Sequence, residues 1–513
     1  MDIPRHELAP LPCLFLDAAD SEFADFIAEA LDLLRAAPEV VAMVESDLDA
    51  HARKKKARRL ADARWAAGQS LHLPNLNPSN IVGPEAITLG DGRPRTPAVV
   101  VALYVLLRGY VGGFKSAVAS DLLAESRTLA VYLTRMGIAP LGRSTLSELT
   151  NAVSARTREA LLDAEIRRIT REALDDFSTM ILDSTSVAGN TEWPTDSRLT
   201  VKLLGRVLRV GHKLPKFGLP KLVSYEAERI YDRLVKIDRD LDMMKRGKNL
   251  TKRRSRRYKK VIGTGRAAYC SITNELPEIR RALVAMKAPP SRRERAERVV
   301  AQIESDLADL ARVLDNCEAR IVDKVRVPAE EKVVSTSDPD AAFIVKGQRD
   351  PRVGYKPQLA RSGNGFVTGL IVPRGNAADS DMLVPMYEQV LARTKVTPDR
   401  VIVDDGYASA ANRAALRKRG VSTVSIGGSK GRKLTPSKEW YSDEHVEARD
   451  DRSAVESLMS TLKGSFDFDA LSRRGLDAAT AELMEKVLAY NLCRMVALRA
   501  ARRRALEAEA LAA

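Results

Sequence analysis

Cysteine and histidine are scarce in this chain. Among 513 residues there are four Cys and five His. Cys13, Cys270, Cys317 and Cys493 stand far apart, with no Cys-x-x-Cys pair and no histidine cluster beside them. That excludes a zinc ribbon and a disulfide framework and suits a reducing compartment. Aromatic residues make up only 5%; with the heavy use of Ala and Arg, this points to a GC-rich bacterial genome rather than to any chemistry. No apolar run approaches the ~20 residues that span a bilayer. Residues 1–12 are acidic and broken by proline, unlike a signal peptide, so a soluble intracellular protein is expected. What is present is a 45% hydrophobic content and a length that allows about two to four folding units. Lys and Arg number 83 against 68 Asp and Glu, a formal net charge of +15. A polyanion is the first partner to consider, and nucleic acid leads.

Over residues 22–65 Phe23, Phe26, Ile27, Ala30, Leu31 and Leu34 fall at helical spacing, and the run ends in a basic stretch, 53–59. Proline and asparagine in 73–78 break it. Further helical patterns cover 97–110, 114–135 and 145–164, the last opened by Thr145 and Glu148 in the arrangement of a capping box. Residues 1–176 are therefore expected to form an all-helical N-terminal domain, suited to DNA binding or to packing alone. Residues 178–187 then form a short β-branched and apolar run with Asp183 in its middle, the mark of a buried strand. Long amphipathic helices return over 221–324, split by 245–248 and by 252–260. Ten of the sixteen residues in 245–260 are basic and none is acidic, a block that seldom belongs in a core.

Strands resume after Val333. Runs 354–361 and 366–373, joined by Ser362-Gly363-Asn364-Gly365, predict a hairpin. A helix over 379–393, a strand over 399–404 ending on Asp404, a helix over 410–419, a strand over 421–426 and a helix over 452–463 follow. Setting aside 203–330 leaves strand, strand, strand, helix, strand, helix, strand, helix, the order of a ribonuclease H-like core. The fold expected is a mixed α+β or α/β one. Its core comprises 177–202 plus 331–475, a helical basic insertion occupies 203–330 between the first and second core strands, and a C-terminal helix covers 476–513.

In that topology the first and fourth strands lie side by side, so Asp183 and Asp404 can approach each other from remote parts of the chain. The last helix crosses the same sheet and offers Glu456. At about 100° per residue Arg452 lies some 40°, and Lys463 some 20°, from Glu456, so all three share one face. Gathered carboxylates repel each other unless cations neutralise them. Hard oxygen ligands without Cys or His select Mg²⁺ or Mn²⁺, and two such ions about 4 Å apart serve in-line phosphoryl transfer without a protein nucleophile.

Asp183-Ser-Thr, Asp404-Asp-Gly-Tyr407 and Arg452-x3-Glu456-x6-Lys463 resemble the three motifs of DDE-type insertion-sequence transposases with an Arg/Glu/Lys signature on the last core helix. Trp193-Pro-Thr-Asp-Ser197, Lys346-Gly347, Gly354-Tyr355-Lys356, Gly375-Asn376 with Asp379, and Asn491-Leu492 add to the resemblance, which covers about 180–475 and the tail. It implies that Asp183, Asp404 and Glu456 bind two Mg²⁺ ions, replaceable by Mn²⁺, and that Arg452 and Lys463 contact phosphates at a transposon end. It further implies double-stranded DNA as partner (transposon ends and target), a homodimer in the DNA complex, and a cytoplasmic, nucleoid-associated location. Hydrolysis would expose a 3′ hydroxyl that then attacks target DNA without ATP. Relatives often have a tyrosine where this chain has Arg449, so no role carries over there. Asp405 adjoins Asp404, but the motif spacing and the strand end both favour Asp404.

Each residue also has a plainer reading. Asp183 could end a strand, Glu456 could simply pair with Arg452 at i−4, and exposed helices carry residues such as Arg452 and Lys463 routinely. Lys252, Arg253, Arg254, Arg256, Arg257, Lys259 and Lys260 could line a solvated loop or neutralise DNA phosphates without reading sequence. Trp193 could stack on an unpaired base or pack under its loop. Another ribonuclease H-like nuclease or resolvase, or a transposase-derived protein that binds DNA without cutting, are the competing functions.

Overall fold

The computed structural model describes residues 20–70, 96–112, 116–191, 195–222, 225–244, 249–328, 331–346 and 351–512. The chain divides into two compact units, one built from 1–49, 91–190 and 343–513 and the other from 50–90 and 191–342.

In chain order the helices are α1 (Asp20–Ala36), α2 (Pro38–Ser70), α3 (Ala98–Tyr110), α4 (Ser116–Glu125), α5 (Arg127–Arg135), α6 (Arg143–Ala152) and α7 (Ala155–Arg171). The strands β1 (Thr179–Ser184) and β2 (Val187–Ala188) follow. Then come α8 (Asp196–Gly211), α9 (Tyr225–Met243), α10 (Leu250–Val284) and α11 (Pro290–Glu318). Strands β3 (Ala342–Ile344), β4 (Arg352–Tyr355), β5 (Gln358–Ser362) and β6 (Val367–Ile371) precede α12 (Asp379–Thr394), β7 (Arg400–Val403), α13 (Ala410–Lys418) and β8 (Thr423–Ile426). The chain closes with α14 (Gly428–Leu434), α15 (Ser437–Trp440), α16 (Asp443–Asp450), α17 (Ser453–Ser465) and α18 (Leu476–Ala512).

The first unit is mixed α/β. Its main sheet has the order β6-β5-β1-β7-β8; β1 is antiparallel to β5 and parallel to β7, and β7 is parallel to β8. Side chains alternate between faces along a strand. Met180, Leu182, Val401 and Val403 join Leu383, Met386 and Leu416 of α12 and α13 on one face. Ile181, Leu359 and Ile402 join Val455, Leu458 and Leu462 of α17 on the other. Helices α1, α3, α5, α7 and α18 extend that second cluster. α3 is buried without interruption from Val100 to Leu107, as a helix apolar on all sides must be. It comes so close to α18 that a Cβ on Gly109 would lie 1.8 Å from the Glu485 carbonyl oxygen. A second sheet, β2-β4-β3, has strands of two to four residues. The second unit is helical, with one apolar cluster shared by α8, α9, α10 and α11.

Several local expectations need correction. The helix expected over 22–65 is two, parted at Ala37 where Pro38 starts α2, because a proline fits a first turn but not a helix interior. The helix over 114–135 is also two, with the Ser126 side chain accepting the Leu129 N–H. Thr145 caps nothing. It sits inside α6, whose N-cap is Gly142 without a side-chain bond, and the chain breaks again at Ser154, which caps α7 by accepting from Thr157 N. The single strand expected over 354–361 splits at Pro357 into β4 and β5, which lie in different sheets, as a residue without an N–H interrupts a ladder. Nor do the basic residues from 252 on separate two helices, since they form the first turns of α10, where Tyr258, Val261 and Ile262 are buried. Helices α9 and α11 each pack on both α8 and α10.

Candidate active site

The register Leu182↔Val403 between the parallel strands β1 and β7, continued by one residue, sets Asp183 beside Asp404. Both follow the alternation that puts Ile181 and Ile402 under α17, so the two acids share that face at about the 4.8 Å spacing of neighbouring strands. α17 brings Glu456 in its first turn and Lys463 in its last, with Arg452 at its N-cap. Asp183, Asp404, Arg452, Glu456 and Lys463 all line one cleft of about 650 Å³, together with Lys346, Lys356 and Asp379.

Each charge in the cleft has its own surroundings. Lys346 Nζ donates to Asp183 Oδ1 at 2.8 Å and to the Ser184 carbonyl oxygen. Lys356 Nζ forms an ion pair with Asp379 Oδ1 at 2.9 Å. Arg452 Nη2 donates to Glu456 Oε1 at 3.0 Å, and Glu456 is 64% exposed. Lys463 Nζ lies 3.0 Å from Asp469, which Arg352 also holds at 2.6 Å. Asp404 Oδ1 accepts from Gly406 N at 2.9 Å, and among the described residues no cation is within ion-pair distance of it. Burial and then Asp183 push the Asp404 carboxyl above the usual range, and the Gly406 N–H and Lys346 oppose them without prevailing. Asp405 is occupied elsewhere, accepting from Lys430 N at 2.8 Å and Gly431 N at 3.2 Å.

Among the described residues no three His, Cys, Asp or Glu side chains stand grouped as metal ligands; Asp183 and Asp404 are neighbours, while Glu456 turns to Arg452. The donor set nevertheless suits a hard divalent cation, because the cleft offers carboxylate oxygens with no sulfur or imidazole and one acid with no counter-charge. Trp193 lies outside the described residues. Lys252, Arg253, Arg256, Lys259 and Lys260 are exposed on α10, whereas Arg257 pairs with Asp240 at 3.0 Å and Arg254 reaches toward the Met244 carbonyl. These residues belong to the second unit.

Not all the residues surrounding the acids are foreseeable from the sequence. Lys346, Lys356 and Asp379 stand there only as points of resemblance, without roles, and Gln358 not at all. The signal that could find Lys356 is position, since it stands just before β5, which pairs with the Asp183 strand; Lys346 follows β3 of the other sheet and carries no such signal.

Residues 318–492 match the family model of the transposase DDE domain. The chain therefore carries a DDE-type transposase domain, and that span holds Asp404, Arg452, Glu456 and Lys463 but not Asp183. No curated protein and no solved structure gives a significant match. Among the described residues no helix is long and apolar enough to cross a membrane.

Proposed function

We propose that this chain is a DNA transposase that binds the terminal inverted repeats of its own element and cuts and joins DNA strands, acting as a homodimer on nucleoid DNA in the cytoplasm. The observation that carries this reading is the sharing of one cleft by Asp183, Asp404 and Glu456 from β1, the end of β7 and α17, in a sheet whose strand order suits a ribonuclease H-like core. Asp183, Asp404 and Glu456 would hold two Mg²⁺ ions. Bound there, magnesium would activate the attacking oxygen and stabilise the leaving oxygen of an in-line displacement.

The chain's own residues supply the rest. Asp183 and Asp404 are fixed by the sheet. Glu456 reaches them by giving up Arg452, and an exposed i, i+4 pair of this kind holds only about 0.3–0.5 kcal/mol. The exchange frees the Arg452 guanidinium for a DNA phosphate. Lys463 is likewise available, because Arg352 alone can keep Asp469 company. Lys346 balances Asp183 until the site is loaded. The exposed cations of α10 would track backbone phosphates, and the helical residues before β1 would help bind the element's ends.

Labelled terminal-repeat DNA tests this. Expected are Mg²⁺-dependent nicking and joining to target DNA, both lost in Asp183→Asn, Asp404→Asn and Glu456→Gln while end binding persists. Cleavage of a junction or hybrid without joining would favour another nuclease, and biological activity untouched by all three substitutions would favour a non-cutting DNA-binding protein.

A further inference from the structure

Asp379 opens α12 and lines the same cleft, yet it lies on neither of the acid-bearing strands nor on α17. Its Oδ1 is committed inward. Gln358 Nε2 donates to it at 2.8 Å, Lys356 Nζ forms an ion pair with it at 2.9 Å, and Lys356 donates to the Ala377 carbonyl at 3.1 Å. Both anchors are buried. The far end of Gln358 accepts from the Tyr407 hydroxyl, three residues beyond Asp404. One polar chain thus ties the start of α12, through β5, to the turn that follows β7.

The other oxygen of Asp379 accepts no hydrogen bond among the described residues. It faces Asp404 across Gly406: a Cβ on Gly406 would lie 3.0 Å from Asp379 Oδ2 and 3.0 Å from Asp404 Oδ1. Any side chain at that position would wedge between the two carboxylates. Asp183 has Lys346 and Glu456 has Arg452, so Asp379 presents its free oxygen to the one acid without a cation of its own.

We propose that Asp379 is a positioning acid of the cleft: clamped by Lys356 and Gln358, it holds a second carboxylate toward Asp404, and the pair together draws a divalent cation to Asp404. This rests on reading the cleft as a magnesium site. Partners that orient a metal-binding group typically govern affinity by about 10- to 100-fold. A role confined to neutralising Lys356 would leave metal affinity unchanged.

The test is Mn²⁺ binding to the full-length protein, followed by calorimetry and by the paramagnetic resonance of the ion. Asp379→Asn should weaken binding by about 10- to 100-fold, and Asp379→Glu should restore part of it. Because the single substitution strands a buried ammonium, Lys356→Met/Asp379→Asn removes both charges together and decides the matter if the single variant does not fold; the same weakening is expected. Mn²⁺ affinity abolished in Asp404→Asn but intact in Asp379→Asn and in the double variant would overturn this inference alone. Wild-type protein that binds no Mn²⁺ would overturn the magnesium reading and this inference with it.

Discussion

Glu485 and Asp404 are both carboxylates sheltered from water in the first unit, and the chain treats them oppositely. Glu485 lies on α18 with 2% of its side chain exposed, 2.8 Å from Arg158, in contact with Arg473 and 3.7 Å from Arg108. Burial alone would raise its carboxyl, but Arg108, Arg473 and Arg158 outweigh that and hold it down to about 2. Asp404 has no such company, and burial with Asp183 pushes it up. A buried charge is tolerated when paired and costly when not. Where the fold needs a carboxylate it supplies the counter-charges itself. At Asp404 it withholds them, and the proposed function would fill that place with a cation from outside.

The widest separation of the two should come from removing each in turn. Asp404→Asn is expected to reduce strand cleavage by about 10³-fold or more, the scale of losing an essential catalytic group, with little loss of stability. Glu485→Ala should do the reverse, costing about 3–5 kcal/mol because three guanidiniums lose their partner, while the folded fraction cleaves normally. Urea unfolding and single-turnover cleavage on both variants measure this, and a stable Glu485→Ala protein would break the contrast.

Acid should sharpen it. The folded Glu485 value of about 2 lies below its ordinary 4.5, so its contribution is complete above about pH 4.5 and is lost as pH falls toward 2. A shift of that size corresponds to roughly 3 kcal/mol. Unfolding free energies of wild type and Glu485→Gln should converge across that window. Glu165, which burial raises well above the usual carboxyl range, has the opposite sign: it costs stability as pH rises past its unfolded value, so Glu165→Gln should flatten that side of the profile.

The contrast also marks what is legible in the sequence. β1 and β7 are buried on both faces and so appear as unbroken apolar runs, in which Asp183 and Asp404 stand out as acids that need a reason. Glu456 is recognisable only by its spacing to Arg452 and Lys463. The network of Lys356, Gln358, Asp379 and Tyr407 is hidden, because four polar residues with no shared period are joined only by folding. β2 and β3 are too short to register as alternation. The dense charge of 252–260 masks Tyr258, Val261 and Ile262, whose burial keeps that stretch helical.

A milder effect separates ion-paired Arg257 from the exposed cations of α10. Exposed Arg253 and Lys260, each changed to Gln, should lower the slope of log affinity against log salt by about 0.9 for every DNA phosphate left without its cation. Arg257→Gln should change it little, since Asp240 already engages that guanidinium. Equal slopes in all three would take this face out of the DNA-binding proposal.

The smallest effect is expected at Arg400, the first residue of β7, which ends at Val403 just before Asp404. Its Nη1 lies 3.4 Å from both Glu447 and Asp451, and its Nε is 3.3 Å from Thr179 Oγ1. Asp451 immediately precedes Arg452, so these interactions steady the entry to α17 against the sheet. All three charged side chains are partly exposed, which limits the stability at stake in Arg400→Met to less than about 1 kcal/mol, and 1 M salt should erase much of it. If these interactions serve only to aim Arg452 and Glu456, single-turnover cleavage should fall by no more than about fivefold, the rate equivalent of that energy. A loss far beyond that would mean that Arg400 meets the DNA itself.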